Sequence, residues 1–206
     1  MTTMGVAACF GCVLVWALVT SPEASAESPS CDQISAIAKV ARAKSLDGAT
    51  EIERRAGGSF RAQVVFASRR FQLKPSVQSA ERLLSVMPAD EAQVTEVMTI
   101  GDSICDGETV ADMFILGRVG ERLPSLLARA VLAAPRFMPA YVKYGLRAVQ
   151  DPHNDYAVQM RRVCQKEHHR FALAVAALAL DEQRRFTEHV MSVAGCEILA
   201  APEVGQ

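Results

Sequence analysis

From Ser30 onward the apolar residues recur three and four apart, the spacing that lines one face of an α-helix. Ile34, Ile37, Ala38 and Ala41 form the first stripe. Ser30-Cys31-Asp32-Gln33 ahead of it reads as a capping box, with Ser30 as cap and Gln33 reaching back three residues on. Asp47-Gly48 ends this helix, and Glu51–Ala56 supplies a turn or two before Gly57-Gly58 breaks it. Phe60, Val64, Ala67 and Phe71 keep helical spacing, although Gln63–Phe66 also suits a short strand. A helix opening at Pro75 runs to Met87, with Val77, Leu83, Leu84 and Val86 on its apolar side, and Pro88 stops it. The next starts at Ala89-Asp90-Glu91, two acids at its positive end, and runs to about Ile100. Its β-branched Val94, Thr95, Val97, Thr99 and Ile100 leave a strand as the alternative, and Gly101–Gly107 is a loop.

Between Asp106 and Cys164 the prolines act as punctuation. A helix from Asp106 or Gly107 carries Val110, Met113, Phe114 and Val119. Pro124 suits the first position of a separate helix, Leu123–Ala134, where its missing amide costs no hydrogen bond. Pro135 and Pro139 bracket a turn before a helix over Ala140–Val149, and Asp151-Pro152 starts another to about Gln165. Glu167–Leu180 contains the apolar run Phe171–Leu180 and is expected to be the most buried helix. Asp181-Glu182 caps a last helix through Ala194, Gly195 ends it, and Ala200–Gln206 is a frayed tail. Short helices joined by short connections predict an all-α fold over residues 27–199. The architecture is an antiparallel multi-helix bundle or a short helical-repeat solenoid, and no strict repeat sets a period.

The N-terminus has a different pattern. Val6–Val19 is an uncharged run of 14 residues, too short to span a bilayer comfortably and suited to the core of a signal peptide. Ala24-Ser25-Ala26 follows as a small-x-small cleavage site, although Met1–Gly5 lacks Lys and Arg. The expectation is a signal peptide over residues 1–26 and an exported chain, periplasmic or secreted. Losing Glu23 leaves 22 acidic residues against 22 basic ones, so the processed chain is neutral. Such a balance lacks the basic footprint of a nucleic-acid binder. No later apolar run reaches the length of a transmembrane helix. Four cysteines remain after cleavage, Cys31, Cys105, Cys164 and Cys196, which in an exported protein predicts two disulfides. Alternating helix directions favour Cys31–Cys105 with Cys164–Cys196 among the three possible pairings.

Candidate chemistry is local. Thr99-Ile100-Gly101-Asp102-Ser103-Ile104 resembles the nucleophile block of the GDSL/SGNH hydrolases, which implies an exported esterase with Ser103 as nucleophile. Beyond about ten residues the resemblance ends. Pro152 stands where the family has a glycine before Asn154-Asp155, and none of His168, His169 and His189 has an aspartate three residues earlier. Asp102, Asp106, Glu108 and Asp112 suggest a calcium loop, but Ile104 and Met113 occupy ligand positions. Asp151 is a good helix cap, whereas His153, Asp155 and Tyr156 beside it are the candidate contact residues. Cys164 and His168, four apart, would share a helical face as zinc ligands do, and His153, Asp155 and His168 define a metal-site alternative. The pairs Arg54-Arg55, Arg69-Arg70, Arg161-Arg162 and Arg184-Arg185 suit solvated faces. Two pairs meeting on one face would suit an acidic protein or lipid head group. The expected function is a non-catalytic binding module for another protein, an adaptor, inhibitor or immunity-type protein, with no cofactor.

Overall fold

The computed structural model describes residues 30–45, 60–98, 108–148 and 155–191, and among them every regular element is helical. The chain forms α1 (Cys31–Arg42), α2 (Phe60–Leu73), α3 (Val77–Ser85), α4 (Glu91–Met98) and α5 (Glu108–Ala133). A 3-10 turn over Pro135–Phe137 leads into α6 (Met138–Ala148), followed by α7 (Tyr156–Lys166), α8 (His168–Ala176) and α9 (Leu180–Arg185). The last continues as π-helical turns over Phe186–Met191. The expected signal peptide, residues 46–59, Ser103, and Cys105 and Cys196 lie outside the described residues.

Local signals account for most helix starts. Ser30 caps α1 in a full capping box with Gln33, as its sequence predicts. Asp90 accepts from the Gln93 amide at 2.9 Å and caps α4. The first turn of α2 has no acid of its own, and Glu96 of α4 supplies one by accepting from the Arg61 amide at 3.1 Å. Arg69 lays its guanidinium fork on the Ala43 carbonyl past the end of α1, with Nε at 2.8 Å and Nη2 at 2.6 Å. A last-turn carbonyl region thus gains a cation, and α1 is fixed to α2.

The long helix α5 is the hub. α1, α2, α3, α6 and α7 all pack on it. Repeats of a solenoid touch only their sequence neighbours, so contact between α1 and α5 makes this a bundle. Leu123, Leu126, Leu127, Ala130 and Val131 of α5 enter the main core, and Leu116 two turns earlier enters a smaller core with Ile34 and Ile37 of α1. Helix α2 lies between the two cores. Val64, Ala67 and Phe71 face the main one, and Ala62, Val65 and Phe66 the smaller one. A helix buried on two sides needs apolar residues beyond one stripe, which explains why Gln63–Phe66 also suited a strand.

Several expectations need correction. Pro124 does not start a helix; it lies inside α5 with its ring buried. An interior proline costs about 3 kcal/mol, but the apolar face continues through it, and each large side chain buried there returns about 1.5–3 kcal/mol. Pro75 does not open α3. Ser76 is the cap, and Val77, expected in the core, is 56% exposed. The apolar run in α8 is not the most buried segment: Leu173 is 58% and Leu180 83% exposed, whereas eight residues of α2 are buried. The 3.6-residue turn carries Leu173 away from Phe171, Ala174 and Val175, so a continuous apolar run puts part of itself in water.

All three tyrosines are buried. Tyr144 and Tyr156 share a 2.7 Å hydroxyl–hydroxyl bond between α6 and α7, their rings edge to face at 5.1 Å, and Tyr141 lies beside them. Burial pushes Tyr144 up to about 12 despite its hydrogen bond to Tyr156, and raises Tyr141 and Tyr156 still further. One turn on, Gly145 permits close approach of α7, since a Cβ there would meet the Met160 thioether.

Two predictions follow from this packing. Gly145→Ala is expected to destabilise by about 1–3 kcal/mol, because the fully buried Met160 thioether would have to repack to make room for the added Cβ. Adding Met160→Ala should cost less than the two single changes together, as measured by denaturant unfolding. The tyrosines predict alkaline lability. They stay neutral in the folded state but ionise near pH 10 when unfolded. Their contribution is complete below pH 10 and falls as pH rises toward about 12. Thermal midpoints should therefore drop across that interval in step with tyrosinate absorbance, and Tyr156→Phe should flatten the drop.

Candidate functional site

The turn from α2 to α3 is built by two serines. The Ser76 hydroxyl accepts from the Ser79 amide at 3.1 Å, and the Ser79 hydroxyl accepts from the Ser76 amide at 2.9 Å. Ser79 also donates to the Lys74 carbonyl at 2.8 Å, which fixes the end of α2 against the start of α3. Capping boxes usually place Glu or Gln where Ser79 stands. With serine there, and no acid anywhere in the first turn, the positive end of α3 keeps its charge.

Two adjoining cavities open at this turn and share Ser76. The larger, about 370 Å³, is walled by the α2–α3 turn on one side and by α5 and α7 on the other. Its apolar lining includes Phe71, Val77 and Leu132, and its cations are Arg129, Arg162 and Lys166. The Arg129 guanidinium lies 5.7 Å from the centre of the Phe71 ring, where the ring face attracts it. The smaller, about 270 Å³, is lined by Arg70, Lys74, Ser76, Gln78, Ser79 and Arg82. Neither lining includes an Asp or Glu.

Six cations thus border one groove, and none of them forms an ion pair with a carboxylate among the described residues. Arg70 and Lys74 are four apart on α2 and the bend after it, and Arg162 and Lys166 four apart on α7. Like charges at that spacing cost about 0.2–0.5 kcal/mol a pair. Four arginines outside the groove are paired, Arg136 with Glu81, Arg170 with Glu167, Arg184 with Glu188 and Arg185 with Asp181, whereas Arg118, Arg122 and Arg161 have no ion pair among the described residues. What sets the groove apart is that six cations lie together with no carboxylate in its lining, an arrangement that suits an anion.

The residues singled out in the sequence do not assemble into one site. Asp155 is exposed at the start of α7 and makes no side-chain cap bond, while His153 lies outside the described residues. Tyr156 is a core residue bonded to Tyr144, which removes it from any exposed contact surface. Cys164 and His168 do not share a face: Glu167 turns the chain between α7 and α8, leaving Cys164 buried and His168 exposed. Among the described residues no three His, Cys, Asp or Glu side chains gather in a metal-binding group. Glu108 and Asp112 lie in the first turns of α5, with Ser103, Asp102 and Asp106 outside the described residues. Neither Cys31 nor Cys164 is a free thiol. Cys105 and Cys196 lie outside the described residues, and so does the pairing expected for all four.

The arginine pairs come closest to a site. Arg69 is spent on the Ala43 carbonyl, but its neighbour Arg70 borders the groove, as does Arg162 of the Arg161-Arg162 pair. Lys74, Arg82, Arg129 and Lys166 were not anticipated. Lys74 and Lys166 each lie four residues after an arginine with no acid between, whereas Arg82 and Arg129 carry no such signal. Comparison with protein-family models, with curated proteins and with solved structures yields no match.

Apart from Arg129, which lies on the Phe71 ring, the groove cations are exposed and take no part in the core packing. Arg162→Gln, and separately Lys74→Gln, should leave unfolding free energy within about 0.5 kcal/mol of the parent, or raise it slightly by relieving repulsion. Chemical denaturation at low ionic strength measures this.

Proposed function

We propose that this chain is an exported, disulfide-braced helical module that binds another protein and carries out no chemistry of its own, as an adaptor, inhibitor or immunity-type protein does. The observation that carries the reading is the groove of six cations without carboxylate partners, set where four helices meet. Helix packing brings these exposed cations to one place, so a partner can meet several at once, at the cost of ordering each side chain on binding. Opposite charge on that partner would speed encounter and fix its orientation. The leader-like N-terminus and the even cysteine count support an oxidising, extracytoplasmic setting. No helix among the described residues is long and apolar enough to cross a membrane.

The test is cross-linking in the native compartment, using the processed chain and its Arg129→Glu/Arg162→Glu variant. The variant should lose the cross-linked partner by at least tenfold while keeping its helical circular dichroism. Reversal of the exposed Arg118, which lines neither cavity, should leave the yield unchanged. A partner yield indifferent to the groove overturns the reading. So does covalent labelling of Ser103 by a fluorophosphonate, which would instead favour the esterase.

A further inference from the structure

Resting on that reading, we infer that the groove takes an acidic segment of the partner chain, in which one apolar side chain is flanked by carboxylates. The apolar side chain would enter the larger cavity and the carboxylates would lie on the cations around it and in the smaller cavity. The two linings differ in the way this requires. Phe71, Val77 and Leu132 give the larger cavity apolar surface that water solvates poorly, alongside its three lining cations. The smaller cavity has no large apolar side chain and offers three cations with two hydroxyls. The two share Ser76, so a single extended segment can cross from one to the other.

Val77 bears most directly on the choice of occupant. A valine more than half exposed in the first turn of α3, where an acid would have stabilised the helix, is unfavourable for the chain alone. Covered by an apolar side chain of a ligand, it becomes contact surface. Charge complementarity then selects the flanking residues: three cations border each cavity and no carboxylate lines either. An anionic membrane fits less well. The cations of the larger cavity come from α5 and α7, across from the α2–α3 turn that carries Arg70 and Lys74, so a flat surface would not engage both walls of a concavity. Free phosphate would satisfy the cations but leave the apolar lining uncovered.

Fluorescence polarisation with labelled peptides on the processed chain tests the inference. The probe is a ten-residue peptide with Leu at its centre and Glu on both sides. It is compared with its Leu→Ser and Glu→Gln forms, with vesicles of anionic phospholipid and with inorganic phosphate as competitor. The parent peptide should bind with an affinity that falls as salt rises. The Leu→Ser form should bind about tenfold more weakly, the loss expected for one buried aliphatic side chain. The Glu→Gln form should lose at least as much, and Arg129→Glu/Arg162→Glu should abolish binding. Val77→Asp, an exposed change compatible with the helix start, should weaken the parent peptide by more than tenfold. Equal binding of the Leu and Ser peptides overturns the inference but leaves protein binding through the groove intact. The same holds if no peptide binds while native cross-linking still depends on the groove. Vesicle binding without peptide binding, or peptide binding unaffected by the groove reversals, overturns both.

Discussion

The continuous apolar face of α5 is the constraint on which the bundle depends. Leu116, Leu123, Leu127, Ala130 and Ala134 follow one another at intervals of seven, four, three and four, so one side of one helix reaches both cores. The helix is held together across Pro124 by what packs on it. Without α1 at one end and α3 and α7 further along, the missing hydrogen bond at Pro124 would be reason enough for the chain to bend there. Tertiary burial therefore decides a local question, and the position of every other helix follows from the answer.

The groove is a product of the same arrangement. α3 and α7 both pack on α5, and the cations of α2, α5 and α7 become neighbours although they are up to 96 positions apart in sequence (Arg70 to Lys166). The serine box at the α2–α3 turn then fixes the rim without adding negative charge. Concentrating like charge in this way costs stability, and the bundle offsets that cost through its apolar core and not through local ion pairs. That separation is what allows the groove cations to be exchanged without threatening the fold, whereas Gly145, Met160 and the tyrosines tolerate little.

Much of the architecture was legible because α-helical spacing and caps are local. The Ser30 box, the α1 stripe, the α2 periodicity and the class of the fold all came from residues within a few positions of one another. What misled were cues whose meaning depends on distant residues. Pro124 reads as a start until the apolar face on either side is known to be one face. Cys164 and His168 read as co-facial until Glu167 is seen to break the helix between them. Tyr156 looked like a polar contact beside Asp155, but the hydroxyl that made it look so is bonded to Tyr144 on another helix. Of the site itself, the arginine pairs and the four-residue spacing of Lys74 and Lys166 from them gave a signal, and of Arg69-Arg70 one member is structural and the other borders the groove.

The near-neutrality of the chain, a formal net charge of −1, has to be weighed against this local imbalance. So small a net charge argues against long-range attraction to a polyanion such as nucleic acid, because at distances beyond a Debye length, about 8–10 Å in physiological salt, the acids elsewhere on the surface cancel the field of the groove. Close to the groove the cancellation fails, since its cations have no acids among them. Recognition would then operate at contact distance, where the shape of the cavity and the placement of individual charges count for more than total charge. If the proposed partner is acidic, such a surface would discriminate by fit, because a carboxylate that misses its cation is desolvated without compensation. A sequence count of charges does not reveal that property, as it arises only when the helices are packed.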